Sequence, residues 1–433
     1  MQPSTFFRAL FFLAVLAGFA PAAPPVTIWV SSDADLKYYQ NMAQLYQQKV
    51  DKDFQANIQS FGFTEMPDKL SLAIKSGINT PDIVQFEEIF FSLYLKGEVP
   101  FVDLTDRIAA SPLAKGILPQ RMGLFTWKGR TYGVPQSLSS VVLWYRADMF
   151  KSLGISPKDL STWDKFEAVG QSLKHKHMML TAMDWSYLDI LLRQRGYDLY
   201  NAQGVAFPDS VVTVDTWKRL VSWINDSVAF VPDRGGIFEP GFFANYVQSN
   251  SVLSLIGPDW YGLDMIQNFD TTHVGKWRAM PLPVWTDSLS HGHRNTSSFS
   301  GQGLVIFKKS PQVERSWKFV EWVMTDPDAN VDRYLQGNSF SAYRPSWTDL
   351  RFSQPNPFFG NQNLAQLFTD IAPNMPYTVQ SPLHALIINL LREQYFLSVV
   401  QHQATPENTI SAIRAQIAQM TFGQRGQQSG TKP

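Results

Sequence analysis

VTIWVSSDADLKYYQNMAQLYQQKVDKDFQANIQSFGF, Val26 to Phe63, is the stretch on which the fold turns. Its first five residues, Val26 to Val30, are a β-rich run, and from Asp35 to Lys52 apolar residues return at helical spacing, at Leu36, Met42, Leu45 and Tyr46. A second apolar run, Asn57 to Phe63, precedes another helix from Pro67 to Ser76. Pro81-Asp82-Ile83-Val84-Gln85 then reads as the next buried strand, with Phe90 to Lys96 leaving it as a helix. Strands that alternate with helices argue for a parallel α/β sheet, complete here by about Pro135.

From Ser140 the pattern repeats in type but not in sequence. SVVLWY is a strand, Ala147 to Leu153 a short helix, and Thr162 to His175 a longer one that opens with Thr162 as N-cap candidate and early acidic residues. A further βα set runs from Met178 to about Pro281. Gly303 to Phe307 is again a strand, and Gln312 to Met324, Asp328 to Gly337 and Leu383 to Val400 are helical. A chain of 433 residues is long enough for two cores.

Hydrophobic residues make up 44% of the chain and aromatics 14%, which makes it globular and aromatic-rich. Lys plus Arg equals Asp plus Glu, 37 against 37, so the electrostatic footprint of a nucleic-acid or anionic-membrane binder is missing. A neutral or weakly charged ligand fits that balance. There is no cysteine, which removes disulfides, thiol catalysis, cysteine-based metal sites and a lipid anchor on a cysteine. At the front, MQPSTFFRALFFLAVLAGFAPA (1–22) has the parts of an export signal: Arg8, the apolar run Ala9 to Phe19, and the small-x-small pattern Ala20-Pro21-Ala22. The apolar run is shorter than the roughly 20 residues that span a bilayer, so cleavage before Ala23 is expected over a transmembrane anchor. A freely diffusing periplasmic monomer follows from that reading, and residues 424–433 are expected to be a disordered polar tail.

The order of several segments resembles one family, the extracellular solute-binding proteins of carbohydrate ABC importers. The segments are TPDIVQFEE (80–88), TWKGRTYGVP (126–135), VVLWYRADMFKSLGI (141–155) with STWDKFEAVG (161–170), SVLSLIGPDWYG (251–262), SGQGLVIFKKSPQVERSWKFVEWV (300–323) and YRPSW (343–347). The resemblance implies a two-lobe α/β fold of the type II periplasmic-binding class, hinged between lobes. On that template the first lobe takes 23–137 with 283–327, and the second takes 138–282 with 328–423. The crossings are expected near Gln136 to Ser140, near Met280 to Pro283, and after the helix that ends near Met324.

A sugar presents hydroxyl rims and apolar faces, so its site needs flat aromatics beside carboxylates, amides or guanidinium groups. Phe86-Glu87-Glu88 follows the PDIVQ strand, and open α/β sheets bind ligands at the carboxyl ends of their strands. Favourable negative charge at a helix N-terminus is the other reading. Asp33 stands after the first strand, where the family has an acidic sugar-binding residue, although it would also serve as a solvated loop carboxylate. Asp184-Trp185 pairs an acid with an aromatic after the MMLTAM strand, and Trp144 lies in the strand leaving the first crossing, either at the ligand or in the core.

In GPDWY (257–261), Asp259 occupies the place of a stacking tryptophan in a family relative and Trp260 follows it. Either Trp260 stacks while Asp259 binds hydroxyls, or one of them only packs against the lobe. Gly301 and Gln302, in Ser300-Gly301-Gln302-Gly303, resemble a loop whose backbone approaches the ligand, or form a simple turn. Arg344 corresponds to a cleft-edge arginine or is a structural one.

His291 and His293 flank a glycine without helical spacing and read as a polar loop, so no metal is expected, and no cofactor either. The function implied is capture of a mono- or oligosaccharide and its delivery to the transmembrane subunits of an ABC permease, without catalysis. A secreted glycoside hydrolase is the alternative, because paired carboxylates near aromatics also describe such active sites. A scaffold or receptor-coupled adaptor with a degenerate cleft is a third.

Overall fold

The computed structural model describes residues 23–176, 178–232 and 236–429. The export-signal segment, 1–22, lies outside the described residues. Among those described, no helix is long and apolar enough to cross a membrane.

Two mixed sheets organise the chain. The first orders its strands Ala56–Ser60, Val26–Val30, Ile83–Glu87, Gln302–Ile306 and Gly133–Pro135, and the second orders Trp277–Met280, Val141–Arg146, Val252–Pro258, Met179–Ala182 and Ala229–Phe230. The βαβ stretch that opens the chain is parallel, with Val26 facing Ala56 and Ile28 facing Ile83. Gln302–Ile306 runs antiparallel to both its neighbours because it enters from the other lobe, so the sheet is not the purely parallel one that alternation alone implies.

Period-two alternation sends side chains to both faces of the first sheet. Ile28, Val30, Ile83, Leu304 and Ile306 pack against Tyr38, Tyr39 and Met42 of helix Asp33–Lys49 and Phe319 and Val323 of helix Val313–Thr325. Trp29, Val84, Phe86 and Val305 meet Leu70, Phe91 and Phe125 on the opposite face. Helix Asp33–Lys49 starts where Ser32 Oγ accepts the Asp35 N–H at 3.1 Å, with Asp33 and Asp35 in its first turn and Lys49 in its last, complementing the helix dipole. Thr162 caps Trp163–Leu173 in the same way, through the Lys165 N–H at 3.3 Å.

The chain first passes between sheets from Pro135 to Val141. The second passage corrects the expectation. Residues 283–299 belong with the second lobe: Trp285 is in its core and donates to Gln194 at 2.9 Å, Val284 bridges Thr162, and Ser298 bridges Ser140. The crossing therefore lies at about 299–301 rather than 280–283, because Trp285 is an apolar side chain that finds its cavity beside Trp163.

The third passage, near Phe340, is zipped to the first: Leu138 donates its N–H to Phe340 at 2.8 Å, and Ala342 donates to Gln136 at 3.2 Å. Residues 328–349 straddle both lobes, with Ala329, Ala342 and Tyr343 in the first core and Val331, Tyr334 and Phe340 in the second. The last helix, Pro406–Ser429, continues into the segment expected to be a disordered tail; 430–433 lie outside the described residues.

Candidate functional site

Arg121 holds the crossings together. It is fully buried, and its guanidinium donates from Nε to Ser137 O at 3.1 Å, from Nη1 to Ser298 Oγ at 2.8 Å and from Nη2 to Ser300 O at 3.2 Å. Burial pushes its pKa down to about 10, against the opposing pull of Glu88, Asp259 and Glu87. A cation without surface needs such anions nearby.

Glu87 ends its strand facing the second crossing, where its Oε2 accepts from Ser300 Oγ and from the Gly301 N–H at 3.1 Å. Burial raises this carboxyl to about 7, and those two hydrogen bonds temper the rise. Gly301 has φ +142°, and an added Cβ would run into the Arg121 guanidinium, so this position requires glycine.

Glu88 is turned elsewhere. It is buried against residues of the second lobe, with His384 Nδ1 3.1 Å and Arg193 Nη1 3.9 Å from its oxygens. The histidine contact has ion-pair distance without hydrogen-bond alignment. Burial works against the Glu88 charge, but His384, Arg193 and Arg121 outweigh it and hold the carboxyl below its usual range.

On the second lobe, Asp259 follows strand Val252–Pro258 and has no exposed surface. Its Oδ1 accepts from the Trp260 N–H at 2.6 Å, while Oδ2 has no hydrogen-bond partner among the described residues. Burial raises it to about 7, with Arg121 and the Trp260, Ser140 and Ser139 backbone N–H groups pulling the other way. Asp184, raised to about 6 by burial, accepts from the Ser186 N–H at 2.9 Å and caps the helix behind it.

Between these two acids runs a row of rings. Trp185 lies 5.8 Å from Phe299, Phe299 stacks on Phe238 at 6.1 Å and 12°, and Phe238 stacks on Trp260 at 6.1 Å and 28°. Trp185, Phe238 and Trp260 are each only half-buried. Phe299 also joins this row to the first lobe, since the next residue, Ser300, donates to Glu87. An aromatic wall flanked by carboxylates suits the faces and hydroxyl edges of a sugar.

Other sequence candidates do not join this group. Phe86 is 1% exposed and packs against Phe101 and Phe125, because its strand parity points it into the first core. Trp144 has no exposed surface; Phe359 and Phe368 cover it, Gly262 lies against it, and its indole donates to Gly257 O at 3.2 Å. Arg344 is exposed and caps the C-terminal carbonyls of Lys115 and Gly116. Asp33 is exposed beside Ser60 at the start of its helix. Gln302 is half-buried and serves the hinge, accepting from Gln136 Nε2 at 2.9 Å and donating to Ser31 Oγ at 3.3 Å.

Arg121, Phe238 and Phe299 are absent from the sequence expectation. Only Phe299 carried a signal, as the neighbour of the Ser300-Gly301 loop. His291 stacks on Tyr197 and His293 Nδ1 lies 3.0 Å from Trp285 O, which accounts for both as loop residues.

Residues 41–355 match the sequence model of the family described as bacterial extracellular solute-binding proteins. The chain belongs to that family. Among its relatives is the arabinooligosaccharide-binding protein of Bacillus subtilis strain 168, 25% identical over 313 residues that make up 70% of each chain. The lactose-binding protein of Rhizobium radiobacter is 26% identical over 383 residues, 85% of this chain and 86% of the relative. Among solved structures, the galacto-N-biose-/lacto-N-biose I-binding protein of Bifidobacterium longum, in complex with lacto-N-biose, superposes with a TM-score of 0.74 at 18% identity, covering 93% of this chain and 99% of that one. The fold of this family member is thus the two-lobe fold of sugar-binding proteins.

Proposed function

We propose that this solute-binding protein captures a carbohydrate between its lobes and hands it to the transmembrane subunits of an ABC importer, acting as an exported periplasmic monomer. The row Trp185, Phe299, Phe238 and Trp260, with Asp184 and Asp259 at its ends, carries the reading. The arabinooligosaccharide- and lactose-binding relatives support an oligosaccharide of pentose or galactose units. In this reading Trp260 stacks on the ligand and Asp259 and Glu87 receive its hydroxyls, each carboxylate retaining its backbone hydrogen bond. No covalent step is required, because closure is driven by differential affinity for the closed form.

The test is a thermal-shift panel of arabinooligosaccharides, lactose and other galactosides, monosaccharides and polyols. A ligand at about 100 times its dissociation constant adds roughly 2.7 kcal/mol to the folded state. A midpoint shift with the sugar recovered unchanged is expected. Recovery of cleaved sugar would replace this reading with the hydrolase one, and a panel without any shift would remove the carbohydrate assignment.

A further inference from the structure

Two of the passages between the lobes contain a serine in the left-handed backbone region. Ser139, in the first, has φ +51°, and Ser300, in the second, has φ +56°. The Cβ of an L-residue crowds the following carbonyl oxygen there, so a serine is strained where glycine would not be. Neither lies in a turn, whereas Ser227, the other left-handed serine among the described residues, sits in the turn between helix Ser210–Asn225 and strand Ala229–Phe230. Asn338, in the third passage, has φ +54°, but it follows the end of helix Pro327–Leu335, where asparagine commonly adopts this conformation.

Strain of this kind persists only where neighbours over-determine it, and here they come from both lobes. Ser300 donates its hydroxyl to Glu87 of the first lobe, and its carbonyl accepts from Arg121 Nη2 at 3.2 Å. Ser139 has no exposed surface, and its Oγ lies 3.0 Å from Ser137 Oγ, while Ser137 O accepts from Arg121 Nε at 3.1 Å. On the other side of Ser139, Ser140 O accepts the N–H of Asp259, a second-lobe residue, at 3.0 Å. The two strained segments also meet, since a Cβ added to Gly301 would stand 3.2 Å from Ser139 Oγ.

These holds belong to the arrangement in which the lobes touch, along a buried seam where Glu88 of the first lobe faces His384 at 3.1 Å and Arg193 at 3.9 Å from the second. Rotating one lobe carries Asp259 away from Arg121 and Glu87, and a hinge absorbs such a rotation in a few dihedrals. We propose that Ser139 and Ser300 are the pivots of closure, positioning residues that are left-handed when the lobes meet and relax to negative φ when they part. Their strain then opposes closure, and a ligand must favour the closed form by enough to overcome it. The proposal rests on the sugar-capture reading only for the identity of that ligand.

Distances between the lobes test it without any ligand. Because the chain has no cysteine, Lys75→Cys combined with Lys174→Cys places one spin label on each lobe. In that background Ser139→Gly with Ser300→Gly is compared with Ser139→Ala with Ser300→Ala; both pairs lose the two hydroxyls and differ only in the Cβ. The glycine pair should raise the ratio of closed to open distances by about fivefold for each position, roughly 25-fold together, over the alanine pair. Equal ratios in the two pairs would overturn the proposal. So would a higher urea midpoint in the glycine pair with unchanged distances, since the serines would then be left-handed in both forms. If the alanine pair does not fold, as circular dichroism would show, Ser139→Gly against Ser139→Ala decides. A sugar panel without any shift would remove the sugar reading and leave these distances to decide the pivots.

Discussion

In the first lobe the strand-end residues that meet the second lobe are carboxylates already engaged by donors, Glu87 by Ser300 and Gly301, and Glu88 by Gln380 beside His384 and Arg193. In the second lobe the corresponding strand ends offer half-buried rings, Trp185 after Met179–Ala182 and Trp260 after Val252–Pro258, each next to a buried acid. The same type of sequence, a strand followed by acid and aromatic, has opposite uses on the two sides. Which use it takes depends on what stands within reach: an amide and a histidine from the second lobe cover Glu88, whereas beside the buried acids Asp184 and Asp259 the rings Trp185 and Trp260 stay half-buried.

The largest expected effect tests the first half of that comparison. Arg193→Ala leaves Glu88, Asp189 and Asp198 buried without their cation and should lower stability by about 3–5 kcal/mol in urea unfolding. A loss under 1 kcal/mol would show that the seam is not an ionic centre. Next, Trp144→Ala should cost about 3 kcal/mol through the cavity it opens beside Phe359 and Phe368, while the affinity of the folded variant for its best sugar stays unchanged.

Asp259 sharpens the comparison through pH. Its carboxyl, raised to about 7 by burial, binds a proton more tightly in the folded chain than in the unfolded one, where the value is about 3.9. Its contribution to stability is therefore fully present below about pH 4 and is lost as pH rises through 7. Between pH 5 and 8 this group alone should remove about 2.6 kcal/mol, and Asp259→Asn should flatten the measured slope by that amount.

Trp260→Ala tests the ring wall: calorimetry should show sugar affinity falling about tenfold, near 1.4 kcal/mol, with little change in the ligand-free unfolding midpoint. Unchanged affinity would move the ligand away from that wall. Arg344→Ala should be the mildest, within about 0.5 kcal/mol in stability and without effect on affinity, because the side chain is exposed and contacts only helix-end carbonyls.

Much of the fold is legible from local pattern. Val26–Val30, helix Asp33–Lys49 and Ile83–Glu87 stand within a few residues of where apolar periodicity puts them. The site is less legible. Phe86 and Trp144 have the composition of binding aromatics, yet strand parity turns both into cores, and parity becomes decisive only once the packing on each face is known. Arg121, in a four-residue helix with no motif around it, gains its meaning from Ser137, Ser298 and Ser300, the last two over 170 residues away. Phe238 gains its meaning only beside Phe299 and Trp260.

The sequence by itself determined the order of strands and helices, the division into two cores and the positions of the strand ends, because hydrophobic period and capping act over a few residues. Tertiary structure alone decided where the second crossing lies, which acids are spent on the seam and which rings are left at the gap. Those outcomes depend on desolvation and on partners such as Glu88 with His384 and Gln380 with Leu124, which lie over 250 residues apart and meet only when the lobes do.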